Sequence, residues 1–259
     1  MQQRRAFHTV FLAVFLTGLI AVMSVGTFPR PANAYSLMGE HTPLFEKGRY
    51  KSMTGLAGFD YYLLKPQNYD PSKTYPLVLT LHGASGHSYG ADVLAGSLMR
   101  QAYPAFVLVP SIKLNSWTLP HFTGDLRQEP SAHVIALIKQ LEKHYAIDKN
   151  RIYVTGYSVG GAGTFGIVAQ HPDFFAAAAP LCGKGMPRDA KAMAKTPFWV
   201  FHGSADRVIG PENSRLMVNS IRNAGGSVRY TEYPGVGHDV WTHAYTDRTF
   251  WAWLFAQTR

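Results

Sequence analysis

Short apolar runs and one-sided amphipathic stretches alternate along this chain. Residues 59–64, 77–81 and 105–109 are mainly apolar runs of strand length. The run 77–81 ends at His82-Gly83, as expected of a parallel strand buried on both faces. Farther on, Val134, Leu137, Ile138, Leu141 and Tyr145 fall at i, i+3, i+4, i+7 and i+11, which predicts one apolar helix face. Pro130 suits the first turn of that helix. Strands are predicted at 151–155, 175–180, 198–201 and 228–233, and helices at 160–170, 211–224 and 246–257. Gly225-Gly226 stops the middle one of these helices. Such alternation predicts an α/β domain with a mostly parallel sheet and helices on both faces.

The turn between strand 151–155 and helix 160–170 reads Gly156-Tyr157-Ser158-Val159-Gly160-Gly161. A serine on a sharp strand-to-helix turn needs small neighbours, and the turn lifts its hydroxyl above the carboxyl edge of the sheet. A hydroxyl becomes a useful nucleophile only when a base takes its proton and an acid orients the base. Both partners should come from later loops at the same edge. His238 lies in a glycine-rich loop after strand 228–233, and Asp206 follows strand 198–201. The chain order Ser158, Asp206, His238 is that of the α/β-hydrolase triad. Asp239 adjoins His238, Glu232 sits in a strand, and Asp173 and Asp189 lie on other segments, so none of these competes well. His82 and His202 each precede a glycine at a strand end and suit loop hydrogen bonding better than catalysis.

Acyl transfer also needs donors for the developing oxyanion. The backbone N–H of Val159 is one candidate, and that of Ala84, in the loop after strand 77–81, is the other. Gly83 and Ser85 remain alternatives for the second. Trp117 and Trp241, in loops near strand ends, are candidates for pocket walls. Segment 184–196 has room for one short helix and no lid domain, so the site is expected to be open. Lys184, Arg188, Lys191 and Lys195 would share one helical face there.

Composition changes the picture at the amino end. Arg4 and Arg5 precede an apolar run from Val10 to Val25, followed by Pro31-Ala32-Asn33-Ala34. These are the three parts of an export signal, which predicts cleavage after Ala34, a mature domain at 35–259, and a periplasmic or extracellular location. The run is short and interrupted for a membrane span, so no membrane attachment is expected after cleavage. The single cysteine, Cys182, excludes an intramolecular disulfide and any multi-cysteine metal site, and is expected to be buried. No metal and no cofactor are expected. The formal net charge of +9 falls to +6 without the three arginines of the predicted export signal, and this diffuse charge does not argue for a nucleic-acid partner.

The stretches 153–161, 171–183, 197–206 and 230–238 together resemble exported α/β-hydrolases. That group comprises carboxylesterases, prolyl-oligopeptidase-like serine peptidases, and polyhydroxybutyrate-depolymerase-like or feruloyl esterases. The resemblance implies the α/β-hydrolase fold, with Ser158 as nucleophile, Asp206 as acid and His238 as base. Many relatives have methionine after the serine where this chain has Val159; a backbone donor should not feel the change. The expected activity is hydrolysis of short-chain or polymer-tethered esters through an acyl-enzyme. A serine peptidase of the same fold is the alternative, and a catalytically inactive binding protein is the reading from another class.

Overall fold

The computed structural model describes residues 38–53, 58–112, 117 and 130–259. The predicted export signal at 1–34 lies outside the described residues. In chain order the strands are β1 Glu46–Lys51, β2 Gly58–Leu64, β3 Tyr75–Leu81, β4 Phe106–Ser111, β5 Ile147–Tyr157, β6 Ala177–Leu181, β7 Phe198–Gly203 and β8 Val228–Tyr233. The α-helices are α1 Tyr89–Ala95, α2 Ser97–Ala102, α3 Pro130–Leu141, α4 Val159–Gln170, α5 Ala190–Met193, α6 Glu212–Asn223, α7 Trp241–Ala244 and α8 Arg248–Phe255.

Among the described residues these strands form one sheet in the order β1-β2-β4-β3-β5-β6-β7-β8. β3 to β8 run parallel, and β1 and β2 are antiparallel additions at one edge. This is the α/β-hydrolase fold. The central strand β3 is buried at every position but its first, which is why its sequence is a nearly unbroken apolar run. The edge strands are more polar. β1 reads EKGRYK and β8 reads VRYTEY, and charged side chains discourage edge-to-edge pairing with another chain.

Two apolar layers flank the sheet. On one face α3, α4 and α6 contribute Val134, Ile138, Phe165, Val168, Met217 and Ile221. On the other, α1 and α8 contribute Leu94, Phe250, Trp251 and Leu254. The predicted face of α3 is buried as expected at Val134, Leu137, Ile138 and Leu141, but the helix ends at Leu141, so Tyr145 packs from the following turn. α6 ends with Gly225 at φ 84° and a Gly226 N–H to Ile221 carbonyl bond of 2.9 Å, the 6→1 closure that a left-handed glycine permits.

Segment 184–196 holds a 3-10 turn, Pro187–Asp189, and the one-turn α5, with Ala190 and Met193 buried. It therefore packs down as part of the domain and forms no lid. The basic residues expected on one helical face there do not share a helix. α5 spans only Ala190–Met193, and Lys195 instead pairs with Asp173 at 2.9 Å.

Candidate active site

β5 ends at Tyr157 and α4 begins at Val159, leaving Ser158 alone at the corner with φ 56° and ψ −119°. A non-glycine residue is strained at positive φ, and the surroundings hold it there. The Ser158 N–H donates to the Leu181 carbonyl at 3.0 Å, and the Ser158 carbonyl accepts from Ala162 N–H at 3.0 Å. The two glycines that follow let α4 pass close over the sheet. A Cβ on Gly160 would run into the Leu81 carbonyl, and one on Gly161 into the Leu181 carbonyl.

The structure brings Ser158, Asp206 and His238 together from three segments of the carboxyl edge. His238 Nδ1 lies 2.7 Å from Asp206 Oδ2, and His238 Nε2 lies 2.9 Å from Ser158 Oγ. An ionised carboxylate only accepts, so Nδ1 carries the proton and Nε2 is free to accept from the serine hydroxyl. The other carboxylate oxygen, Asp206 Oδ1, accepts from Val208 N–H at 2.8 Å and Ile209 N–H at 3.1 Å. Burial by itself would raise the Asp206 carboxyl. The bonds from His238, Val208 and Ile209 outweigh it and hold the group below the usual carboxylate range.

The loop that carries Asp206 is tied down by His202, which hydrogen-bonds loop backbone as its place in the sequence predicts. Buried His202 contacts the Ile209 carbonyl through Nε2 at 2.7 Å and the Ser214 hydroxyl through Nδ1 at 2.7 Å. A carbonyl only accepts, so Nε2 carries the proton, and the same N–H lies 3.2 Å from Asp206 Oδ2. The sequence signal for His202 was its place before Gly203 at a strand end; its contacts with Ser214 and Asp206 were not readable there. His82 behaves similarly in the loop after β3. It is buried, donates from Nδ1 to the Gly83 carbonyl at 2.8 Å, and burial holds its pKa below the ordinary histidine value.

Val159 opens α4, so its N–H has no intrahelical acceptor and lies at the positive end of the helix dipole. Ala84 is exposed in the turn closed by Gly86 N–H to the Gly83 carbonyl at 3.0 Å. Trp117 is placed in packing. It is 5% exposed, its indole N–H donates to the His82 carbonyl at 2.9 Å, and its side chain lies against Gly163 of α4. Little of its ring is left for a ligand. Trp241, expected in a loop, opens α7 instead. It meets His238 edge-on at 5.7 Å and Tyr157 at 4.3 Å between ring centroids, and its buried Nε1 has no acceptor among the described residues.

Cys182 is fully buried, as expected, with its thiol pushed up mainly by burial. Its sulfur and one ligand atom each of Asp206 and His238 lie within 4.8 Å of one another, a grouping able in principle to hold a metal ion. The carboxylate oxygens are, however, already engaged by His238, Val208 and Ile209.

The fold and this arrangement of a strained serine, a histidine and a buried carboxylate define a class: the hydrolases built on the α/β-hydrolase scaffold. A model of the dienelactone hydrolase family matches residues 122–246. The bifunctional acetylxylan esterase/xylanase XynS20E of Neocallimastix patriciarum is 28% identical over 177 residues, which cover 67% of this chain and 25% of that protein. Poly(3-hydroxyalkanoate) depolymerase C of Paucimonas lemoignei is 27% identical over 191 residues, covering 58% of this chain and 45% of that protein. Among solved structures, a thermostable esterase superposes with a TM-score of 0.76 and 34% identity, covering 84% of this chain and 64% of that one. The chain thus spans a quarter to under half the length of these two curated relatives. Its fold and its likeness are those of carboxylic ester hydrolases.

Proposed function

We propose that this chain is an exported serine carboxylesterase that hydrolyses short-chain or polymer-tethered esters. The observation that carries the reading is the continuous hydrogen-bonded line from Ser158 Oγ through His238 to Asp206, with 2.9 Å and 2.7 Å links, at the carboxyl edge of the sheet. His238 Nε2 takes the hydroxyl proton as Ser158 Oγ attacks the ester carbonyl carbon. The oxyanion accepts from the N–H groups of Val159 and Ala84. Asp206, kept ionised by its three donors, orients His238 and stabilises the imidazolium. His238 then returns the proton to the leaving alcohol. Water attacks the acyl-enzyme by the same route and frees the acid.

Polymer-tethered esters are favoured because two relatives are named for acetylxylan and for poly(3-hydroxyalkanoate), and because 184–196 packs down without a lid. Trp241 beside His238 is the candidate wall of the substrate site. Export is supported by the leader pattern ahead of Tyr35.

The deciding experiment assays p-nitrophenyl esters beside peptide anilides and treats the protein with a fluorophosphonate probe. Ester turnover with probe labelling is expected. Preferential anilide cleavage would make the chain a peptidase, and neither turnover nor labelling would make it a binding protein.

A further inference from the structure

Tyr157 stands just before Ser158 and is 4% exposed, yet its side chain reaches away from the serine into the loop after β3. Its phenol donates to the His87 carbonyl at 2.8 Å and lies 3.5 Å from Ser85 Oγ. Its ring fills the inside of the turn so closely that a Cβ on Gly83 would sit 2.6 Å from Tyr157 Cε2. The other side of the ring meets Trp241 at 4.3 Å, and Trp241 in turn meets His238.

We propose that Tyr157 is a positioning residue for the oxyanion loop, holding 83–87 at a fixed distance from the nucleophile; this rests on the esterase reading above. The physical argument is one of linkage. Val159 N–H is fixed relative to Ser158 by the peptide chain itself, but Ala84 lies in a solvent-exposed turn that follows a different strand. A second oxyanion donor helps only when its distance to the developing charge is set before the reaction. Tyr157 is covalently attached to the nucleophile and hydrogen-bonded to the far end of the donor loop, so it transfers the serine's position to that loop. Burial pushes its phenol up to about 12, so it remains a donor throughout the neutral pH range.

Tyr157→Phe keeps the ring and deletes the bond to the His87 carbonyl. The expected result is a fall in kcat of roughly tenfold, a fraction of the loss when an oxyanion donor is removed outright, with KM within about twofold of wild type. The inhibition constant for an alkyl boronic acid, whose tetrahedral adduct on Ser158 places an oxygen in the oxyanion site, should rise in parallel with the fall in kcat/KM. Gly83→Ala approaches from the loop side and should give the same split between kcat and KM. Unchanged kcat and boronate affinity in Tyr157→Phe would overturn the proposal, as would a change confined to KM in either variant. A wild-type protein that hydrolyses esters and labels with fluorophosphonate, beside an unaffected Tyr157→Phe, overturns the positioning role alone. A wild type that does neither overturns the esterase reading and this proposal with it.

Discussion

The chemistry proposed for Ser158, Asp206 and His238 depends on surroundings more than on identity. Ser158→Ala is expected to abolish fluorophosphonate labelling with the fold retained, checked by circular dichroism. Asp206→Asn replaces the acceptor of the His238 Nδ1 proton with an amide that can also donate. Losing the orienting acid elsewhere lowers kcat by about 10⁴, and a similar loss is expected here. A near-wild-type rate in Asp206→Asn would remove Asp206 from the mechanism. Glu232, rejected as an acid on sequence grounds, has a separate electrostatic part. Hydrogen bonds from Arg215 bring its pKa to about 2. An unfolded glutamate titrates near 4.3, so the folded state gains stability from this group above that value and loses it as pH falls toward about 2. The pair is solvent-accessible, so the gain is screened by salt. Urea titrations of wild type and Glu232→Gln should therefore differ at pH 6 in low salt and converge near pH 2. Equal stability at pH 6 in low salt would show the pair contributes nothing. The three proposed catalytic residues were legible because each lies within three residues of a glycine in a turn that follows a strand. Tyr157 and the His202–Ser214 pair were not, because their partners are remote in sequence and their geometry exists only once the sheet is assembled.

At the scale of elements, the buried parallel strands were legible because both faces are covered and the apolar runs are continuous. β1 was missed because an edge strand of sequence EKGRYK buries only Tyr50 and carries no apolar alternation to read. α1, α2 and α7 were missed because they are only seven, six and four residues long, too short to show a repeating apolar face. Trp117 was misjudged for a related reason: loop aromatics look alike in sequence, and only the fold shows that this one fills the space above Gly163. The most demanding junction is that of β5 with α4. Gly160→Ala would force its methyl against the Leu81 carbonyl, backbone that cannot turn aside. Overpacking of this kind costs about 1–3 kcal/mol, and the same displacement would move Ser158. Lower stability in urea and loss of ester turnover should therefore appear together. A stable Gly160→Ala enzyme of normal activity would show that α4 can shift without disturbing the corner.

For the whole molecule, the packed segment 184–196 bears on substrate length. Each buried methylene contributes roughly 0.8 kcal/mol, but only where a wall receives it. kcat/KM is expected to peak at acyl chains of about two to four carbons, on that same area argument, and no jump in rate should appear when substrate passes its solubility limit. A preference for long chains with an interfacial jump would mean another segment covers the site; loop 111–128, most of which lies outside the described residues, is the first suspect. Amino-terminal sequencing of the protein from its native host should begin at Tyr35. A chain retaining residues 1–34 in a membrane fraction would replace cleavage with anchoring.

The strand order also fixes when activity can appear. From β3 the sheet grows outward through β5, β6, β7 and β8 in chain order, and the proposed nucleophile, acid and base follow β5, β7 and β8 in turn. Among the described residues β8 lies at the far edge and pairs with β7 alone. Parallel pairings join residues distant along the chain and form slowly. A refolding chain could therefore regain most of its ellipticity while the base is still unplaced. Stopped-flow refolding should show ester turnover recovering later than the far-ultraviolet signal, with any variant that loosens β8 lengthening the gap. Simultaneous recovery would mean that the sheet closes in one cooperative step, its last strand included.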